Sequence, residues 1–305
     1  MHTTSALANM KNLNTARSAT WAPFANSAWI QVLRSREEAA EAQSFLAARP
    51  IHTVTLRSFI RDNGLESPLN RGKFYGYRNA EGELEGVALI GHATLIEART
   101  TRSLEAFARK AQQGTRAHIV MGEQERIAKF WHCYSDEGQE MRHTCRELLF
   151  ELHWPVEARA DVAGLRQATL ADLDLVKPVQ AQMAFEESGV NPMESDSIGF
   201  TMRCARRIEQ GRTWVLVENG KLIFKAEVMS ETPEVSYLEG IHVDEQERGQ
   251  GLGLRCLSQL TRTLLRRTRS LCMLVNEQNT AAHSFYRLAG FKFQCYYDTI
   301  YLQQH

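Results

Sequence analysis

YLEGIHVDEQERGQGLGLR, residues Tyr237 to Arg255, is the stretch from which the rest of the chain can be read. Leu238, Ile241 and Val243 are apolar and β-favouring, which predicts a strand. The charged run Asp244 to Glu247 predicts a loop, and Leu254, Leu257, Leu260 and Leu264 recur at helical spacing. Between loop and helix lies RGQGLG, Arg248 to Gly253. Glycines 249, 251 and 253 lack a β-carbon, so a ligand can lie against the backbone. The first turn of the helix offers N–H groups without partners and a partial positive charge. A strand, a glycine-rich turn and a helix N-terminus in this order make a cradle for a pyrophosphate. It is not a Walker loop, which needs Gly-Lys-Ser/Thr, and not a G-x-G-x-x-G turn, whose last glycine would fall on Leu254 or Cys256.

The pattern satisfied is Arg/Gln-x-x-Gly-x-Gly/Ala, by Arg248, Gly251 and Gly253. It resembles the acetyl-CoA motif of the GNAT acyltransferases. A second stretch, LCMLVNEQNTAAHSFYRLAGFKF, supplies a strand (Leu271 to Val275), Asn276 and Asn279, a short helix through Tyr286, and Gly290 as its stop. Asn-x-x-Ala followed by Phe-Tyr-x-x-x-Gly-Phe resembles the second cofactor motif of the same family. The resemblance is strong over roughly 162–303. It implies a splayed pair of strands, with the donor's pantetheine arm pairing with the backbone of Ile241, His242 and Val243 as an added strand. It implies donor contacts at Arg248, Gly249, Gln250, Gly251, Leu252, Gly253 and Leu254, and at Asn276, Asn279, Ala281 and Tyr286. Valine at 251 or 253 is expected to reach the pyrophosphate.

At 305 residues the chain has the length of about two domains. Before Trp29 it is rich in Thr, Ser, Ala and Asn, and 1–28 is expected to be a flexible tail. Strands are predicted at Trp29 to Leu33, Lys73 to Arg78, Leu84 to Ile90, Thr94 to Ala98, His118 to Met121 and Met141 to His153. Helices are predicted from Ser35, with Glu38 completing a capping box, to Arg49, and over 52–62, 103–113 and 123–134. The alternation matches the second half, but EARTTRSLEAFARK (Glu97 to Lys110) stands where the glycine cradle should be. This half, 29–155, reads as a degenerate GNAT-like domain, and the arrangement resembles a bacterial two-domain GNAT group. A linker at 154–159 leads to the acetyl-CoA-binding domain, 162–305. There Thr169 and Asp172 cap a helix containing Pro178, 197–210 is helical, and Asn219-Gly220 turns a hairpin. The fold class is thus α/β with mixed sheets, two GNAT-like domains in tandem. The second is expected to bind acetyl-CoA alone, the first to support it by packing.

Acetyl transfer needs a neutral amine and a protonated leaving thiolate. Deprotonating a lysine-type ammonium near neutral pH costs roughly 4–5 kcal/mol, an α-amine about 1, so a base serves the former more. Tyr286 matches the family's usual acid. For the base, Glu239 ranks first: by alternation it shares a face with Ile241 and Val243 beside the splay, leaving His242 opposite in a structural role. Glu227 in FKAEV ranks second. Glu186 and Glu187 close the first helix of this half and are expected to bind a cationic acceptor rather than take its proton. A water relay from any of them stays open.

Lys+Arg and Asp+Glu balance at 36 each, which gives no case for nucleic acid or an anionic membrane as partner, and no apolar run approaches membrane-spanning length. Cysteines 133, 145, 204, 256, 272 and 295 form no C-x-x-C pair; reduced thiols in a cytoplasmic protein are expected. His132, Cys133, His143, Cys145 and His153 lack zinc-ligand spacing, and no metal is expected. Two function classes remain: an acetyl-CoA-dependent N-acetyltransferase acting by direct attack of a primary amine, on a small molecule or a peptide, and a non-catalytic acyl-CoA-binding regulator. Monomer and homodimer are both compatible with the sequence.

Overall fold

The computed structural model describes residues 28–114 and 117–303; the expected tail lies outside them save for Ala28. Local chemistry sets the first elements. After strand β1 (Trp29–Val32), Ser35 and Glu38 form the expected capping box on helix α1 (Arg36–Leu46). That helix stops earlier than predicted, because Pro50 takes the first turn of α2 (Pro50–Asn63), where its missing N–H costs nothing. Strands β2 (Gly72–Arg78), β3 (Leu84–Gly91) and β4 (Ala93–Ala98) lead to α3 (Thr101–Gln112), β5 (Ile119–Glu123), α4 (Gln124–Tyr134) and β6 (Met141–His153).

The second half repeats this order. Strand β7 (Arg166–Gln167) precedes α5 (Leu173–Ser188), which keeps Pro178 inside it, then α6 (Pro192–Ser195) and α7 (Ser197–Glu209). Strands β8 (Thr213–Glu218) and β9 (Lys221–Glu231) form the expected hairpin, with Asn219 and Gly220 both at positive φ. β10 (Val235–Val243), α8 (Leu252–Leu264), β11 (Ser270–Asn276), α9 (Thr280–Leu288) and β12 (Lys292–Leu302) complete it.

All the strands belong to one mixed sheet, ordered β1-β2-β3-β4-β5-β12-β6-β11-β10-β9-β8-β7. Replacing each strand of the first half by its counterpart in the second reverses this list onto itself, a pseudo-twofold arrangement. Its centre is an exchange. β12 lies between β5 and β6, and β6 lies between β11 and β12. Each half therefore receives its next strand from the other. Division at 155–162 cuts between neighbours, and 162–305 by itself would lack the strand that pairs with the whole length of β11.

Two strand pairs are parallel, β4 with β5 and β10 with β11, and each pairs over three residues only. β10 then runs on to Val243 and β11 to Asn276 without pairing to each other. The splay anticipated from the sequence is present, and an equivalent one exists in the first half. The core beneath the second joins Phe150 and Leu152 of β6 to Leu257, Leu260 and Leu264 of α8 and to Phe291.

Candidate active site

β10 carries a bulge where the splay opens. Its register passes from Glu239↔Glu227 to His242↔Lys225, three steps on β10 against two on β9. Gly240 takes up the extra residue at φ +60°. The bulge resets alternation, so Glu239 and His242 lie on the face of their partners Glu227 and Lys225. Val243 lies on the other, against α8, with Ile241 and Val243 both packed in the α8 core. The expected sharing of a face by Glu239, Ile241 and Val243 is corrected accordingly.

The bulge is pinned by a side chain that sequence reading passed over. Lys225 is fully buried, and its ammonium donates to the Gly240 carbonyl at 3.1 Å and to Gln180. Glu227, also fully buried, lies 3.4 Å from Lys225 and accepts from Arg207 at 2.6 Å. Burial alone would raise the Glu227 carboxyl, but Lys225 and Arg207 outweigh it and hold the group below the ordinary carboxylate range. Glu227 is thus a fixed anion inside an ion-pair network, an environment unsuited to a proton acceptor that must cycle near neutrality.

Glu239 is placed otherwise. It has no hydrogen bond and no ion pair to any described residue. Burial, then the nearby Glu187 carboxylate, raise its pKa to about 7, against a partial opposing pull from Arg207. The first half shows what removes such a group from use. Leu95 and Tyr237 end the two parallel pairings, so Glu97, two residues on, is the counterpart of Glu239. Glu97 is bound by Arg49 at 3.1 Å and by Arg126 at 3.1 Å, and both arginines also hold Glu123. That splay is closed by its own side chains.

The helix ends that face the two splays differ in the same sense. α3 begins with a capping box in which Thr100 and Ser103 satisfy each other's backbone. α8 has no side-chain cap; Gly251 at φ +77° is its N-cap, and the first N–H with a helical partner is that of Arg255, 3.1 Å from the Gly251 carbonyl. The preceding N–H groups point out of the open end. A β-carbon at Gly249 or Gly251 would meet nothing within 4 Å, whereas at Gly253 it would meet Val243 Cγ2 at 2.7 Å. The first two glycines border open space at positive φ, and the third lets the helix close on β10. These donors and this space suit a pyrophosphate. Arg248 Nε ties the loop to the Val243 carbonyl at 3.0 Å, and Gln250 bonds the Gln246 carbonyl; Leu252 and Leu254 occupy the first turn.

Asn276 and Asn279 shape the opposite wall. Asn276 Oδ1 accepts from Gln278 N at 2.8 Å, and Asn279 caps α9 by accepting from Ala282 N at 3.0 Å; Ala281 is exposed beside it. Tyr286 packs edge-on to Phe285 and Phe291. Its hydroxyl makes no hydrogen bond to a described residue, and burial raises its pKa to about 12, which keeps the phenol protonated at neutral pH. Of the acidic pair, Glu186 is exposed and accepts from Gln182 at 2.8 Å. Glu187 is exposed, and its carboxylate accepts from the Tyr301 hydroxyl at 3.4 Å. Beyond the anticipated set lie Tyr301, Thr299 and Glu147. β6 carries two glutamates, Glu147 and Glu151, on either side of its apolar run Leu148 to Phe150, and nothing in the sequence singles out the first.

Residues 181–291 match the model of the acetyltransferase (GNAT) family. None of the curated proteins compared matches the chain by sequence. Among solved structures, a GNAT-family acetyltransferase from Colwellia psychrerythraea aligns at 15% identity and TM-score 0.56, over 90% of this chain and all of its own. A tandem GNAT protein from the clavulanic acid biosynthesis pathway aligns at 12% identity and TM-score 0.56, over 90% and 98%. A GCN5-related N-acetyltransferase from Sphaerobacter thermophilus aligns at 15% identity and TM-score 0.53, over 90% and 94%. At these identities the likeness is one of fold, and it extends through both halves. No helix among the described residues is long and apolar enough to cross a membrane.

Proposed function

We propose, on the match of residues 181–291 to the model of the GNAT acetyltransferase family, that the chain transfers an acetyl group from acetyl-CoA to a primary amine by direct attack. The observation that carries this reading is the contrast between the two splays. One is closed by Arg49 and Arg126 beside a capped helix, and the other keeps a carboxylate with no ion pair among the described residues on one face of the strand and an uncapped helix N-terminus on the other. The pyrophosphate of the donor would rest on the N–H groups that open α8, with Arg248 to Leu254 around it, and its arm would lie along Ile241 to Val243. Asn276, Asn279 and Ala281 would border it on the far side.

The chemistry divides between the two faces of the sheet. Glu239, directly or through a water, takes a proton from the acceptor ammonium, and a pKa near 7 suits that exchange at neutral pH. The neutral nitrogen bonds to the thioester carbonyl carbon, the carbon–sulfur bond breaks, and Tyr286 donates its phenolic proton to the departing thiolate; the further proton that the nitrogen loses on becoming an amide passes through solvent and restores the phenol. Lys225, Glu227 and Arg207 hold the bulge that aims Glu239 and take no proton themselves.

The test is thioester turnover by the full chain against a panel of primary amines, read as free thiol released and as acetylated amine by mass. Amine-dependent thiol release is expected, and Glu239→Gln should lower it at least tenfold. Binding of acetyl-CoA with no amine acetylated would instead favour the regulator.

A further inference from the structure

We propose that the first half of the chain binds a phosphorylated small molecule, in a cavity of about 720 Å³ between the start of β2, the turn from β3 to β4 and the end of α3. Arg71 and His92 line it from the strands, Lys110 and Gln113 from the helix, and Tyr75 and Ile90 give it an apolar floor. The acetyltransferase reading uses none of these residues, and the inference does not rest on it.

The lining is cationic and short of partners. A guanidinium has five N–H donors, and Arg71 uses one of them: Nη2 donates to His92 Nδ1 at 3.1 Å. Lys110 lies over the Tyr75 ring, 5.3 Å from its centre, and donates to the neutral amide of Gln113 at 2.7 Å. Neither cation makes an ion pair with a described residue, and no Asp or Glu among the described residues lines the cavity. Asp196 attracts Arg71, but it is bound at 2.9 Å by Arg203, whose own charge repels Arg71. His92 is uncharged, since burial and then Arg71 push it down to about 4. Its ring is stacked on His118 with centres 5.0 Å apart, and with Nδ1 accepting from Arg71 its proton sits on Nε2.

Arg71 is also kept at a conformational cost. It stands at φ +51°, in the left-handed region that glycine adopts freely, and its carbonyl is held by His92 N at 2.8 Å, where a β-carbon on Gly91 would strike it. A backbone suited to glycine thus carries a guanidinium at the rim of the cavity. Two cations and a neutral donor, with no carboxylate among them, match a dianion. A phosphate ester carries about −1.5 to −2 near neutral pH and presents three oxygens to the fork of Arg71. The volume falls among those of organic-ligand sites, roughly 300–1,000 Å³. It therefore admits more than a bare ion, with the organic part over Tyr75 and Ile90.

The experiment is calorimetry of phenyl phosphate and of inorganic phosphate on the full chain, with CoA saturating so that the open end of α8 is already occupied, and again without CoA on Gly251→Val. Phenyl phosphate should bind at one site, at least tenfold more tightly than inorganic phosphate, because its ring covers the apolar floor. Lys110→Gln removes a charge, and Arg71→Gly removes the guanidinium and relieves the positive φ. Each should weaken phenyl phosphate at least tenfold, the usual size of a hydrogen bond to a charged group. The melting temperature should stay unchanged in Lys110→Gln and stay level or rise in Arg71→Gly, which a packing role for Arg71 would not allow. Should Arg71→Gly melt well below wild type, Lys110→Gln decides alone. Absence of binding by both phosphates, equal affinity for the two, or an affinity for phenyl phosphate that Lys110→Gln leaves unchanged overturns the proposal.

Discussion

The base and the acid make opposite predictions at the level of single residues. Glu239 must be ionised to act, so its raised pKa makes the rate climb as pH rises through about 7. Glu239→Gln should erase that limb, and its defect should shrink at higher pH, where more of the amine is already neutral. Tyr286→Phe deletes one oxygen and keeps the ring against Phe285 and Phe291. It should lower kcat about 10²- to 10⁴-fold with donor affinity little changed, and the loss should ease with a more acidic leaving thiol. Near-full turnover by Tyr286→Phe, with chemistry shown to be rate-limiting, would make Tyr286 a packing residue. Glu227 contrasts with both. Removing one member of a buried charge network strands Arg207 and Lys225, so Glu227→Ala should cost about 3–5 kcal/mol of stability, read by denaturant unfolding, before any catalytic effect can be judged. These roles were partly legible. The residue types were found, but Glu239 and Glu227 could be separated only by their surroundings, because Arg207 lies on a helix that no local pattern connects to β9.

Among the elements, the loop and helix from Arg248 to Leu264 were the most readable, since glycine spacing and apolar period are local properties. The face of β10 was misread because strand alternation was carried through Gly240. A glycine inside a strand is itself a cue for a bulge, and here it inverts the side on which Glu239 stands relative to Val243. The glycines of the cradle also divide by role. Gly251→Val forces a β-branched residue to positive φ and puts its side chain into open space at the helix end. It should weaken acetyl-CoA binding at least tenfold by calorimetry. Gly253→Ala instead strikes Val243 Cγ2, so the expectation that substitution there reaches the pyrophosphate is replaced. Its cost is overpacking, about 1–3 kcal/mol, and the added change Val243→Ala should restore most of the lost stability. No such rescue is expected for Gly251→Val. Equal rescue of both would mean that the two glycines serve one purpose.

For the molecule as a whole, the tandem repeat was legible because each half shows the same succession of strands and helices, and its degeneracy because the cradle glycines are missing. The exchange of β6 and β12 was not. Strand neighbours in a sheet are chosen by contacts between residues more than a hundred positions apart, such as Thr299 with Glu147, and nothing in either strand's own pattern names its partner. The consequence changes what the first half is for. It was expected to pack against a self-sufficient acetyl-CoA domain, whereas it supplies the neighbour of β11 along the whole length of that strand. Expressed alone, 156–305 would leave β11 unpaired along one edge and β12 without β5 or β6, and exposed strand edges invite aggregation. The fragment is therefore expected to be insoluble or to dimerise, the pseudo-twofold order allowing β12 of one copy to take the place of β6 in another. Fragments 1–155 and 156–305 produced together should associate, co-purify as a one-to-one complex and regain acetyl-CoA binding. A monomeric 156–305 that melts cooperatively and binds acetyl-CoA as tightly as the full chain would show that β12 can fold back beside β11, and that the exchange is a route of assembly rather than a requirement of the site.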